Sequence, residues 1–294
     1  MINKAFTGLG VALVTPFDEN HNVDYDSLEN LVNHVIEGGV DFIVALGTTA
    51  ETATLTEAEK ENVVKTIALI NNERVPIMLG LGGNNTMKII EELQSLNYIK
   101  FCQSILSVTP YYNKPNQKGL YEHFRLIADA SPLPICLYNV PSRTGVNMTA
   151  DTILKLEKDC SNIFALKEAA GDILQANTLV TNTSDDFVLL SGDDSLTQPL
   201  MSIGFKGLIS VGANAYPTLF SNLMKNIQQE DFKTAQSFHN KVTSICTLLF
   251  EEGNPTGIKS ALHSMGVIKH NILRLPLVPA SDNLYNRIKA FPIS

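Results

Sequence analysis

The chain has 294 residues, 30 acidic against 22 basic side chains, a formal charge of −8, 44% hydrophobic residues and a mean hydropathy of +0.05. That balance fits a globular protein long enough for one α/β barrel or two ordinary domains, and it argues against a general affinity for nucleic acid or an anionic membrane. Four cysteines without paired spacing suggest neither a disulfide framework nor a zinc site, no apolar run approaches a membrane span, and no signal-peptide pattern opens the chain, so a cytoplasmic protein is expected.

Short apolar runs alternate with longer amphipathic ones. Strand-like segments begin near Gly8, Val40, Val75, Gln103, Leu133, Ile163, Phe187 and Gly207. Between the first two, residues 27–37 carry a helical pattern that Gly38-Gly39 would stop. Thr56 and Glu59 stand at capping-box spacing before the next helix. No Gly-x-Gly-x-x-Gly turn follows the first strand, and Gly80-Leu-Gly82-Gly83 reads as a turn rather than a phosphate cradle. Units of strand and helix repeating every ~25–35 residues suggest a (β/α)8 barrel, with a doubly wound open sheet as the competitor. After about residue 225 strand signals stop; residues 219–227, 232–251 and the segment after Thr256 read as helix. The expected organisation is a barrel over residues 1–228 and a small helical region over 229–294, packed together because no low-complexity linker separates them.

Lys167 ends the sixth apolar run, Ile163-Phe-Ala-Leu. A lysine in such a strand is paired with a carboxylate, reaches solvent at the strand end, or serves as a nucleophile toward a carbonyl. In a barrel, reactive groups gather at the C-terminal ends of strands. Other runs end in Gly47-Thr48-Thr49, Thr109-Pro-Tyr111-Tyr112, Tyr138-Asn-Val-Pro-Ser-Arg143 and Ser191-Gly192-Asp193-Asp194. Taken singly, each has a plainer reading: Thr48 and Thr49 as caps, Tyr138 as a core tyrosine, Arg143 as a solvated cation. Asp193-Asp194 suit capping better than metal binding, and no metal is expected. Glu168 follows Lys167 on the strand and so should face the opposite side, which gives it no catalytic role.

Gly47-Thr-Thr-Ala-Glu-Thr52, Thr109-Pro-Tyr-Tyr-Asn-Lys-Pro115, Tyr138-Asn-Val-Pro-Ser-Arg-Thr-Gly145 and Lys167-Glu-Ala, in this order, resemble the signatures of the lysine-dependent pyruvate aldolase superfamily. Within it they are most similar to the dihydrodipicolinate synthases, and the likeness extends to Arg274-Leu-Pro276. The resemblance implies condensation of pyruvate with L-aspartate 4-semialdehyde through a Schiff base on Lys167, in diaminopimelate and lysine biosynthesis, with no separate cofactor. It implies Tyr138, Thr48 and Tyr112 as a proton relay, with Tyr112 reaching into a neighbouring subunit of a tetramer built as a dimer of dimers. Thr49, Arg143, Gly192 and Ile209 would bind substrate. An allosteric lysine pocket would involve Thr52, Ala53, Glu57, Lys60, Asn84, Lys88 and Tyr111, where Lys88 predicts weak inhibition. Ala50 and Thr52 depart from the glycine and serine usual in the motif; glycine there can adopt φ > 0, so an altered loop geometry is expected. An N-acetylneuraminate lyase or related sugar-acid aldolase, which typically lacks the Pro141-Ser-Arg143 clamp, and a catalytically silent pyruvate-binding protein are the alternatives.

Overall fold

The computed structural model describes residues 2–292. Among them, eight parallel strands close into a barrel in chain order: β1 (Gly8–Ala12), β2 (Phe42–Ala45), β3 (Ile77–Gly80), β4 (Ser104–Val108), β5 (Ile135–Asn139), β6 (Ile163–Glu168), β7 (Val188–Ser191) and β8 (Gly207–Ser210). β8 pairs back onto β1, so the open-sheet alternative does not apply. A single helical turn at Ile2–Ala5, which the sequence reading did not foresee, precedes β1.

Alternation along the strands sorts two cores. Leu9, Val11, Ile43, Ile105, Leu137, Leu166 and Leu208 face outward into the layer between sheet and helices. Phe42, Val44, Met78, Cys136, Tyr138, Leu190 and Ile209 fill the barrel interior. The period of two produces this division, and both faces are buried, which is why the runs read as continuously apolar. Between β5 and β6 the register shifts after Ile135, which pairs with Ile163, so that Cys136 pairs with Ala165. Phe164 is the extra residue of a bulge, and the shift sets Tyr138 opposite Lys167 and Asn139 opposite Glu168.

The connecting helices are α1 (Tyr25–Glu37), α2 (Glu57–Asn71), α3 (Thr86–Ser95), α4 (Gln117–Ala130), α5 (Ala150–Asp159), α6 (Ile173–Asn182), α7 (Thr197–Ser202) and α8 (Pro217–Gln228). Local chemistry starts several of them. Asp24 caps α1 through Ser27 N–H, and Thr56 with Glu59 forms the anticipated capping box on α2.

Beyond the barrel, α9 (Phe232–Glu251), α10 (Thr256–Ser264) and α11 (Asp282–Lys289) pack on it. Continuous helix after Thr256 was expected, yet residues 265–281 are irregular. Gly266 takes φ +74°, and Pro276 and Pro279 cannot donate to a helix ladder. Backbone groups of this segment bond elsewhere instead: Lys269 N–H donates to Ser27 Oγ and Arg274 N–H to Glu51 Oε2. The outer limits expected for the two regions, Met1 and residues 293–294, lie outside the described residues.

Candidate active site

The C-terminal ends of the strands open into one cleft of about 1140 Å³. Lys167 and Tyr138 stand in its floor, only 5% and 7% exposed. They are direct cross-strand neighbours, and Lys167 Nζ lies 4.3 Å from the centre of the Tyr138 ring. No carboxylate among the described residues pairs with this ammonium, and it makes no hydrogen bond to them. Of the readings open for a strand-end lysine, pairing with a carboxylate is thereby removed among the described residues, and an amine facing the cleft is what remains.

Gly192, at the end of β7, makes room for the lysine. A Cβ on it would stand 2.7 Å from Ala169 Cβ and 3.0 Å from Lys167 Cε, while its N–H donates to Glu168 O at 2.7 Å. A side chain at 192 would therefore push into the lysine stem that must reach the cleft. Ile209 is 1% exposed in the barrel interior and does not line the cleft, so its side chain acts as packing beneath the site.

Gly47 to Thr54 form the wall above β2 as two 3-10 turns, Thr48–Ala50 and Thr52–Thr54, joined at Glu51. Thr48 is exposed and Thr49 is 3% exposed, and both line the cleft. Neither Thr48 Oγ1 nor Tyr138 Oη bonds to a described residue. The left-handed conformation belongs to Glu51 (φ 54°) and not to Ala50, so alanine in place of the usual glycine leaves the backbone path unstrained at 50. Glu51 is buried against Lys259 of α10, with Nζ to Oε1 at 2.5 Å and both side chains at 0% exposure. Burial pushes the Lys259 ammonium down to about 8 while Glu51 pulls it back up. This pair and the Arg274 N–H fasten the wall to the C-terminal segment.

Arg143 follows β5 on a single turn, Pro141–Thr144, exposed and lining the cleft, with Nη2 donating to Asn254 O at 3.4 Å. The loop is pinned from behind. Asn139 Oδ1 accepts Met148 N–H, and Asn139 Nδ2 donates to Glu168 and to Asn147 Oδ1. Glu168 faces away from Lys167, as alternation requires, and also accepts from Ala170 N–H and Gln175 Nε2. Burial pushes its carboxyl up, with the Asn139 hydrogen bond opposing.

Asp193 and Asp194 both serve the backbone. Asp193 accepts from Ser195 N–H, and Asp194 Oδ2 from Val211 and Gly212 N–H, tying the ends of β7 and β8 together. Burial pushes the Asp194 carboxyl up to about 6.

Tyr112 stands apart from these groups. It is 89% exposed, holds φ +72°, and does not line the cleft that contains Lys167. Within one chain the expected relay is therefore incomplete. Glu57, Lys60, Asn84, Lys88 and Tyr111 line an extension of the same cleft, together with Thr52 and Ala53. There Lys60 pairs with Glu57 at 2.7 Å, Lys88 approaches Glu92 at 3.8 Å, and Asn84 Nδ2 donates to Tyr111 O. Sequence reasoning passed over Asn254, Lys259 and Glu51, because nothing in their spacing links residues more than 200 positions apart.

A family model described as the dihydrodipicolinate synthetase family matches residues 5–291. A 4-hydroxy-tetrahydrodipicolinate synthase from Flavobacterium psychrophilum is 48% identical over 288 residues, covering 98% of each chain. The solved dihydrodipicolinate synthase from Thermotoga maritima is 38% identical with a TM-score of 0.93, covering 97% of each chain. A monomeric dihydrodipicolinate synthase variant, also 38% identical, superposes with a TM-score of 0.93 over 98% of this chain and 96% of its own. Likeness that runs from end to end in sequence and in backbone, across the same strand ends that build the cleft, means that the chain belongs to the dihydrodipicolinate synthetase family.

Proposed function

We propose that this protein is a lyase that condenses pyruvate with L-aspartate 4-semialdehyde to give 4-hydroxy-tetrahydrodipicolinate, serving lysine and diaminopimelate biosynthesis. The observation that carries the reading is the buried Lys167 amine, without a carboxylate partner among the described residues, against the Tyr138 ring in the floor of the cleft. Synthases of that name match 98% and 96% of the chain.

The Lys167 amine adds to the ketone of pyruvate and water leaves, forming an iminium. The iminium withdraws electrons, so a methyl proton departs and an enamine results. The enamine carbon attacks the semialdehyde aldehyde; the amino group of the adduct then displaces Lys167 from the imine carbon, closing the ring. Tyr138 Oη is the proton carrier beside the amine, with Thr48 next in the relay. The iminium is the electron sink, so the chemistry needs no separate cofactor. Thr48 and Thr49 hold the pyruvate carboxylate, and Arg143 clamps the carboxylate of the second substrate at the cleft rim. This guanidinium favours the semialdehyde over the sugar acids of the aldolase alternative.

Tyr112 completes the relay in a neighbouring subunit's site. Its exposure and its left-handed backbone support that role, since a large aromatic side chain held out of its own barrel at φ +72° is placed to meet a partner. The assembly we propose is a dimer of dimers. No helix among the described residues is long and apolar enough to cross a membrane, and a cytoplasmic enzyme fits the chemistry.

Borohydride reduction in the presence of pyruvate, followed by mapping of the modified residue, tests the reading. The adduct is expected on Lys167 and should vanish in Lys167→Ala. Specific trapping of that variant at another lysine would overturn it.

A further inference from the structure

Thr49 receives a hydrogen bond from outside the barrel. Asn254 lies between α9 and α10, lines the cleft, and donates from Nδ2 to Thr49 Oγ1 at 3.0 Å. Thr49 Oγ1 makes no other side-chain hydrogen bond to a described residue. A hydroxyl has one proton and two acceptor lone pairs. With a lone pair taken by the amide N–H, the proton of Thr49 is left to be given elsewhere, and the cleft is where it can go.

The other end of the amide supports a purpose beyond packing. Asn254 Oδ1 is buried without a hydrogen-bond partner among the described residues. Leaving a buried acceptor unpaired is costly and concentrates at functional sites. The backbone oxygen of the same residue accepts from Arg143 Nη2. One residue of the C-terminal segment thus touches the groups assigned to both substrates.

We propose that Asn254 is a positioning residue: its amide fixes the Thr49 hydroxyl as a donor aimed at the carboxylate of pyruvate and of the imine formed from it, an inference that rests on the aldolase reading above. The C-terminal segment thereby sets the hydrogen-bond polarity of the pyruvate site. An aspartate at 254 would reverse that polarity. A carboxylate only accepts, so the Thr49 proton would turn toward it, and a negative charge would stand beside the substrate's own.

The test uses the full chain with Asn254→Ala, Asn254→Asp, Thr49→Val and the Thr49→Val/Asn254→Ala double variant. In steady state, Asn254→Ala should raise KM for pyruvate about 10-fold and Asn254→Asp about 100-fold, with kcat changed less than about threefold. In the Thr49→Val background, Asn254→Ala should add nothing further. Aspartate tolerated as well as asparagine would mean that the amide accepts from Thr49, and would overturn the proposal. Additive effects of Thr49→Val and Asn254→Ala would overturn it too, and this cycle decides the matter if Asn254→Asp fails to fold. Wild-type protein not trapped by pyruvate at Lys167 would sink the aldolase reading and this inference with it; trapping with an additive cycle sinks the inference alone.

Discussion

Tyr138 and Lys167 face each other across neighbouring strands, and the lysine nitrogen sits 4.3 Å from the centre of the tyrosine ring. The ring forms one wall of the amine's enclosure, while the hydroxyl at its far end is the group we propose as the proton carrier. Tyr138→Phe separates the two roles. It keeps the wall and removes the proton carrier, so pyruvate should still be trapped on Lys167 while kcat falls about 10²–10⁴-fold. Rapid-quench trapping set beside steady-state rates checks this; a variant with unchanged kcat would remove Tyr138 from the relay.

Arg143 stands on the rim rather than the floor, exposed and within 3.4 Å of Asn254 O. Its substitution by alanine should raise KM for the semialdehyde about 10–100-fold and leave KM for pyruvate within about threefold. Lysine should rescue only part of the loss, because a point charge cannot grip a carboxylate in two places. Equal increases for both substrates would withdraw the assigned role.

His123 supplies a pH dependence away from the site. It is 5% exposed, bonded to Thr86 Oγ1 at Nδ1, and burial pushes its imidazole down to about 4. An unfolded histidine titrates near 6.5. Between these values the unfolded chain binds a proton that the folded one refuses. Stability is therefore full above about pH 6.5 and falls as pH drops toward 4, by up to about 3 kcal/mol. Asp194, pushed up to about 6, works in the opposite direction, since folding there favours the protonated form. The diagnostic quantity is the difference between wild type and His123→Gln in urea unfolding at pH 7 and pH 4.5. The variant should lose less stability on acidification; parallel pH profiles would show that His123 is not the group.

Free L-lysine should inhibit weakly or not at all. In the extension of the cleft near Tyr111, Glu57 and Glu92 each lie beside a lysine of their own helix, Lys60 and Lys88, so the carboxylates there are already engaged by ammonium groups that repel a cationic effector. A steady-state titration with L-lysine should show no inhibition at micromolar concentrations. An inhibition constant in that range would mean that Glu57 or Glu92 leaves its lysine to take the effector.

The amino-acid order alone determined the barrel and much of its site. Eight buried strands announce themselves by continuous apolar runs of the right spacing. Lys167, Tyr138, Thr48, Thr49 and Arg143 could be singled out as candidates because each ends or follows a strand, and strand ends in such a barrel converge; the roles given to them came from the family resemblance. Local chemistry sufficed for caps such as Thr56 with Glu59. What only the tertiary structure decided depends on contacts between distant parts of the chain. That no carboxylate among the described residues pairs with Lys167 required knowing what surrounds it in space, and the outward display of Tyr112 required its backbone angle. The Glu51–Lys259 pair and the Asn254–Thr49 bond join the first barrel loops to a segment more than 200 residues later, where no periodicity or spacing can signal a partner. In the irregular stretch at 265–281, Gly266, Pro276 and Pro279 were local breakers already present in the sequence, and only the structure shows where the Lys269 and Arg274 N–H groups go instead, to side chains of Ser27 and Glu51. Lone strand ends could be read one at a time; the closed cleft that makes them one site comes from packing.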